Sequence, residues 1–247
     1  MSENQDHFSA VAGDYARGRF GYPAGLFDYL GGLCRVRETA WDCATGSGQA
    51  AAALASRFAR VVGTDISADL LALAPVMPNV TYRRAPAEAS GLAPASVDLV
   101  TVAQALHWFE LDKFWNELRR VCRPGAILAF WGYLWPRVDD GVDAHLGELR
   151  AVLAPFWPER AGILQREYRE VHPPFEPLQP PPFTLAVDWR RADYLAHIAS
   201  WSAVRYFRER NGGDILAGFD QGLQDAWPDH EVRRVTWPLI LRVYRVN

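Results

Sequence analysis

Short apolar runs recur through the first half of the chain, each closed by a polar or glycine-bearing turn and followed by a stretch with helical spacing. The run ending at Asp42, then Val61-Val62-Gly63-Thr64-Asp65, Val80-Thr81-Tyr82-Arg83, residues 96–102 and residues 126–131 read as strands one to five. Between them, residues 50–58, 67–73 and 111–121 read as helices; the last carries Phe114, Trp115, Leu118 and Val121 on one apolar face. Pro23 opens an earlier helix containing Leu26, Phe27 and Leu30. Short intervals between alternating strands and helices predict a mostly parallel α/β sheet with helices on both sides.

After Trp131 the pattern loosens. Residues 142–156 predict a helix, residues 175–183 a proline-rich connection through Pro180-Pro181-Pro182, and residues 183–189 a sixth strand. Residues 192–207, with Tyr194, Ile198, Trp201 and Val204, read as one further helix, and residues 235–246 as the last strand, with Pro238 at an edge. No repeat or linker divides the chain, so residues 1–247 are read as a single domain. Within it, residues 1–23 form an N-terminal cover and residues 133–210 a variable region on the acceptor side.

Composition narrows the function classes. A chain of 247 residues with 49% apolar and 22% charged residues buries a sizeable core. A net charge of −3 lacks the basic face of a nucleic-acid binder, and no run is long enough for a membrane span. Three separated cysteines, Cys34, Cys43 and Cys122, carry no metal-ligand spacing, and the start of the chain carries no export signal. The expected setting is a reducing cytoplasm, and the expected assembly a monomer or homodimer.

The chemistry concentrates where strand one turns into a helix, at Asp42-Cys43-Ala44-Thr45-Gly46-Ser47-Gly48. Glycines tighten such a turn and let a ligand approach backbone N–H groups. Asp65, at the end of strand two, is placed to accept ribose hydroxyls. Nicotinamide and flavin dinucleotides and S-adenosylmethionine are all open on that ground, as is a plain structural turn. The dinucleotide pattern is poorly met, because Ala51 stands at its third glycine. Ala87-Glu88 follows strand three, where it either flanks an adenine or caps a turn. Gln104-Ala105-Leu106-His107-Trp108-Phe109 follows strand four as a pocket wall. There His107 reads as a general base, a positioning group or a helix cap. Ahead of strand one, Tyr15 and Arg19 are suited to cross the mouth of the site.

The turn from Asp42 to Gly48 resembles the Asp-x-Gly-x-Gly-x-Gly loop of class I S-adenosylmethionine-dependent methyltransferases, with Asp65 as their ribose acid. Arg19-Phe20-Gly21-Tyr22-Pro23, Ala87-Glu88, residues 104–109 and Arg123-Pro124-Gly125 extend the likeness to the type 11 small-molecule branch, which includes enzymes similar to trans-aconitate methyltransferase. Two positions depart from the pattern: Ala44 replaces the first glycine, and Pro86 stands where many relatives have an aspartate.

The resemblance implies a Rossmann-like seven-stranded sheet of order 3-2-1-4-5-7-6 and S-adenosyl-L-methionine as cofactor. The implied cofactor contacts are Tyr15, Arg19, Asp42, Ala44, Gly46, Gly48, Asp65, Ile66, Ala87, Glu88 and Gln104. Those implied for a small-molecule acceptor are His107, Trp108 and Trp201, with His107 also as the catalytic group. No metal is implied, and the alternative function is a non-catalytic regulatory module that binds the same cofactor.

Overall fold

The computed structural model describes residues 21–247. Five parallel strands form the centre of the main sheet: β1 (Thr39–Cys43), β2 (Arg60–Asp65), β3 (Val80–Arg84), β4 (Val97–Ala103) and β5 (Cys122–Gly132). Two further strands, β6 (Glu176–Leu178) and β9 (Ile240–Val246), complete it antiparallel, giving the order β3-β2-β1-β4-β5-β9-β6. Counting only the strands of this sheet, the order is 3-2-1-4-5-7-6, as the resemblance implied. Register brings the carboxyl ends of three strands to one edge, with Cys43 opposite Thr64 and Asp42 opposite Thr101.

Alternation along the central strands divides two cores. Ala40, Val61, Leu99 and Ala129 join one with Leu26, Phe27 and Leu54, beneath α1 (Ala24–Leu33) and α2 (Gln49–Ala55). Their neighbours Trp41, Val62, Val100 and Phe130 face the other, with Phe114 and Leu118 of α4 (Leu111–Val121). A strand with every residue buried, as in β1, is what a sheet covered on both faces demands. The start of β1 is tied down by Asp98, whose carboxylate accepts Thr39 N at 2.8 Å and pairs with Arg123 at 2.7 Å. The remaining helix of this half, α3 (Ala68–Leu71), begins at Ser67, whose hydroxyl accepts Leu70 N.

A third core fills the later half. It gathers Leu146 of α5 (Asp140–Leu153), Tyr194 of α7 (Arg191–Ala199), Val204 of α8 (Ser202–Asn211) and Leu223 of α9 (Ile215–Ala226) against a two-stranded ribbon. The ribbon pairs β7 (Thr184–Arg190) with β8 (Val232–Pro238), from Thr184 opposite Pro238 to Arg190 opposite Val232. The short α6 (Ala161–Gln165) lies between α5 and the sheet's last strands in sequence.

Three expectations change here. The strand at 183–189 forms, but in the ribbon, and the main sheet takes Glu176–Leu178 instead. Pro177 is tolerated there because β6 pairs with β9 alone, at the sheet's edge. Pro238 divides the expected last strand into β8 and β9, which serve different sheets. The helix expected over 192–207 breaks at Ser200-Trp201, where the Ser200 hydroxyl donates to His197 O at 2.6 Å and Trp201 turns extended.

Candidate cofactor and acceptor site

The turn between β1 and α2 is held from below. Ala44, Gly46 and Gly48 have φ of 54°, 56° and 80°, so the backbone passes three times through the left-handed region. At Gly48 a side chain is excluded twice over, since a Cβ would also stand 2.5 Å from the Tyr82 hydroxyl. Asp42 is 1% exposed and lies under the loop. Its carboxylate accepts from Thr101 Oγ1 at 2.7 Å, Thr45 Oγ1 at 2.5 Å and Ala51 N at 3.0 Å, joining the loop to β4 and to α2. Burial nevertheless raises its pKa to about 6, against the lowering effect of those bonds.

Above the loop is a cavity of about 390 Å³, within the usual size of small-molecule sites. Asp65 forms one end of it. Its carboxylate accepts Gly46 N and Ser67 N, each at 2.9 Å, which fixes the acid while leaving acceptor capacity toward the cavity. Burial pushes its pKa upward. Ile66, Leu70, Pro86 and Ala87 line an apolar slot beside it. An acid for vicinal hydroxyls next to a slot for a flat base fits the nucleoside half of S-adenosylmethionine.

Beyond the end of β4, the wall continues through Gln104, Trp108 and Phe109. Gln104 takes a φ of 57° and donates from its side chain to Tyr133 O at 3.0 Å, bridging the ends of β4 and β5. Glu88 reaches the cavity and also accepts Glu110 N at 2.8 Å, so its capping bond and its place on the wall coexist.

Of the sequence-derived residues, Ala44, Gly46, Asp65, Ile66, Ala87, Glu88, Gln104 and Trp108 therefore meet at one cavity. Asp42 and Gly48 shape its floor without lining it. His107 and Trp201 stand off its wall. His107 is 8% exposed and rests against Trp108, ring centres 5.0 Å apart. Burial, with Arg160 nearby, lowers its pKa to about 4, which makes the imidazole a weak base. Trp201 packs instead with Trp135 and Trp157, at 5.5 and 5.9 Å. Tyr15 and Arg19 lie outside the described residues.

Tyr22, from the segment expected to cross the mouth of the site, lines the wall, while the sequence reading missed Thr45, Gln49 and Arg160 as wall residues. Thr45 and Gln49 belong to the turn already singled out, so their place followed from it. Arg160 had no such signal, because an arginine in an irregular segment looks like any solvated charge. In the structure its Nη1 donates to Trp108 O at 3.0 Å, and α6 packs on the 3₁₀ turn Leu106–Trp108.

Comparison with known proteins agrees with this arrangement. A methyltransferase-domain family model matches residues 41–130, from β1 into β5. The chain is 30% identical over 227 residues to a Dictyostelium discoideum protein named as a methyltransferase, covering 90% of this chain and 86% of that one. It is also 30% identical over 117 residues to a Saccharomyces cerevisiae protein named as an S-adenosylmethionine-dependent methyltransferase, covering 44% of this chain and 40% of that one. A solved structure from Anaeromyxobacter dehalogenans, designated a type II methyltransferase, matches with a TM-score of 0.87 at 44% identity over 92% of this chain and 97% of that one. Those names specify no methyl acceptor, so the likeness reaches the family and the cofactor and not trans-aconitate. The strand order, the glycine turn under Asp65 and these relatives together place the chain in the type 11 family of class I S-adenosylmethionine-dependent methyltransferases.

Proposed function

We propose that the chain methylates a small molecule, a carboxylic acid or a hydroxyl-bearing metabolite. The supporting observation is the cavity itself, which is lined from Asp65 past Gln104 to Trp108 and, at about 390 Å³, has the volume of a metabolite site. When bound, the cofactor supplies an electrophilic methyl carbon on its sulfonium sulfur. The chain's part is to orient and to exclude water. Asp65 fixes the sugar, Gln104 is braced on Tyr133 at the junction of β4 and β5, and Trp108 with Phe109 gives the acceptor an apolar wall. Tyr15 and Arg19 are assigned to the cover over the cofactor. His107, off the wall and weakly basic, is reassigned from base to support for Trp108.

The test is incubation with methyl-labelled S-adenosylmethionine and a panel of small acids, phenols and amines. Label in a small-molecule product is the expected result. Label confined to macromolecules would contradict the acceptor class, and cofactor binding without transfer to any panel member would favour the regulatory module.

A further inference from the structure

Among the described residues the cavity wall carries three carboxylates and one guanidinium, and their engagements differ. Asp65 holds two backbone N–H groups, Glu88 holds Glu110 N, and Glu110 pairs with Lys113 at 2.7 Å. Arg160 donates one N–H to the Trp108 carbonyl and forms no ion pair with any described residue. Some arginines of the later half meet acids, as Arg166 does with Glu170 at 2.6 Å and Arg233 with Glu231 at 2.7 Å, while others are held otherwise, as Arg242 is by Glu167 O at 3.0 Å and Arg150 over the Trp135 ring. A guanidinium tethered by a single carbonyl keeps most of its donor fork for a planar anion.

Its place bears on whose anion that is. Asp65 ends β2, while Arg160 is bound to the turn after β4, and β1 lies between those two strands. Arg160 is held on the Trp108 carbonyl, on the stretch of wall formed by Trp108 and Phe109, and it arises from the region that follows the matched methyltransferase segment.

Resting on the small-molecule reading above, we propose that Arg160 selects and orients the methyl acceptor by pairing with a carboxylate that the acceptor carries. The aromatic wall takes the acceptor's apolar body, and the guanidinium fixes its charged end. The atom that is methylated then depends on how the rest of that molecule is presented.

The same chemistry is offered by the amino-acid carboxylate of the cofactor, so the experiment separates the two. Wild type, Arg160→Gln and Arg160→Lys are titrated calorimetrically with S-adenosylhomocysteine. The saturated proteins are then titrated with acid and amide pairs: benzoate and benzamide, phenylacetate and phenylacetamide, hexanoate and hexanamide. The same pairs are offered as acceptors with labelled S-adenosylmethionine. At least one acid is expected to bind wild type about tenfold or more above its amide, with Arg160→Gln abolishing the preference, Arg160→Lys keeping part of it, and the Kd for S-adenosylhomocysteine holding within about twofold. No acid preference in wild type would overturn the proposal. So would a Gln variant that loses about tenfold in S-adenosylhomocysteine affinity while keeping the acid preference, since Arg160 would then serve the cofactor. Acid preference without labelled product would leave the anion site standing and remove the enzyme reading. Label passing only to neutral acceptors would do the reverse.

Discussion

Two buried titratable side chains pull the stability of this protein in opposite directions over the same pH range. Burial lifts the folded pKa of Asp42 to about 6 from the ordinary aspartate value of 3.8, so between those values the folded chain holds a proton that the unfolded chain has released. Stability contributed by Asp42 is therefore present at low pH and falls as pH rises through the window. His107 has a folded pKa of about 4 against 6.5, so over its window the unfolded chain binds the extra proton. Its contribution is present above the unfolded value and is lost as pH falls. Each change amounts to roughly 3 kcal/mol, so the two largely offset in wild type. Asp42→Asn should leave the His107 slope exposed, with stability rising between pH 4 and 6.5, and His107→Gln should leave the opposite slope. Urea denaturation across that range checks both; parallel profiles for wild type and the two variants would show that neither group titrates as described.

At the scale of elements, the turn between β1 and α2 depends on what β3 places against it. Gly48→Ala forces a Cβ into the left-handed region and to within 2.5 Å of the Tyr82 hydroxyl. Strain and overpacking together should cost about 2–4 kcal/mol, and Tyr82→Phe in the same chain should return part of it by removing the oxygen. Equal stability of Gly48→Ala and wild type in denaturation would refute the packing account. This glycine illustrates what could be read in advance. The glycine spacing announced a tight turn with backbone N–H groups, but Tyr82 as the reason for Gly48 required the pairing of β2 with β3. Strands one, two, four and five were legible for the same local reason, since continuous apolar runs follow from burial on both faces; strand three, half-exposed at the sheet's edge, was read from Val80 and Tyr82. The ribbon was not, because β7 and β8 choose each other across a long stretch of chain and nothing local says that Pro238 divides two sheets. Helix α9 did leave a signal that passed unread, with Asp214 accepting Leu216 N at its start and Leu216, Phe219 and Leu223 at helical spacing.

For the whole molecule, the turn and the acid at one end of the cavity were legible as wall residues, and much of the rest of the wall was not. A small-residue turn and an acid at the next strand's end are fixed by what the nucleoside requires. His107 and Trp201 looked like pocket residues, since a buried aromatic cluster and a pocket wall share a composition; in the structure both are off the cavity wall, while Arg160 arrives on it from a segment without pattern. Among the described residues no helix is long and apolar enough to cross a membrane. The central claim is that Asp65 and the Gly46 turn form the cofactor site, and calorimetric titration of wild type and Asp65→Ala with S-adenosylhomocysteine tests it most directly. A saturable isotherm with one site is predicted for wild type, weakened in the variant by about 1–3 kcal/mol, roughly 5- to 150-fold in Kd, through loss of charge-assisted hydrogen bonds. Equal affinity in the two proteins, or binding of NAD in place of S-adenosylhomocysteine, would contradict it.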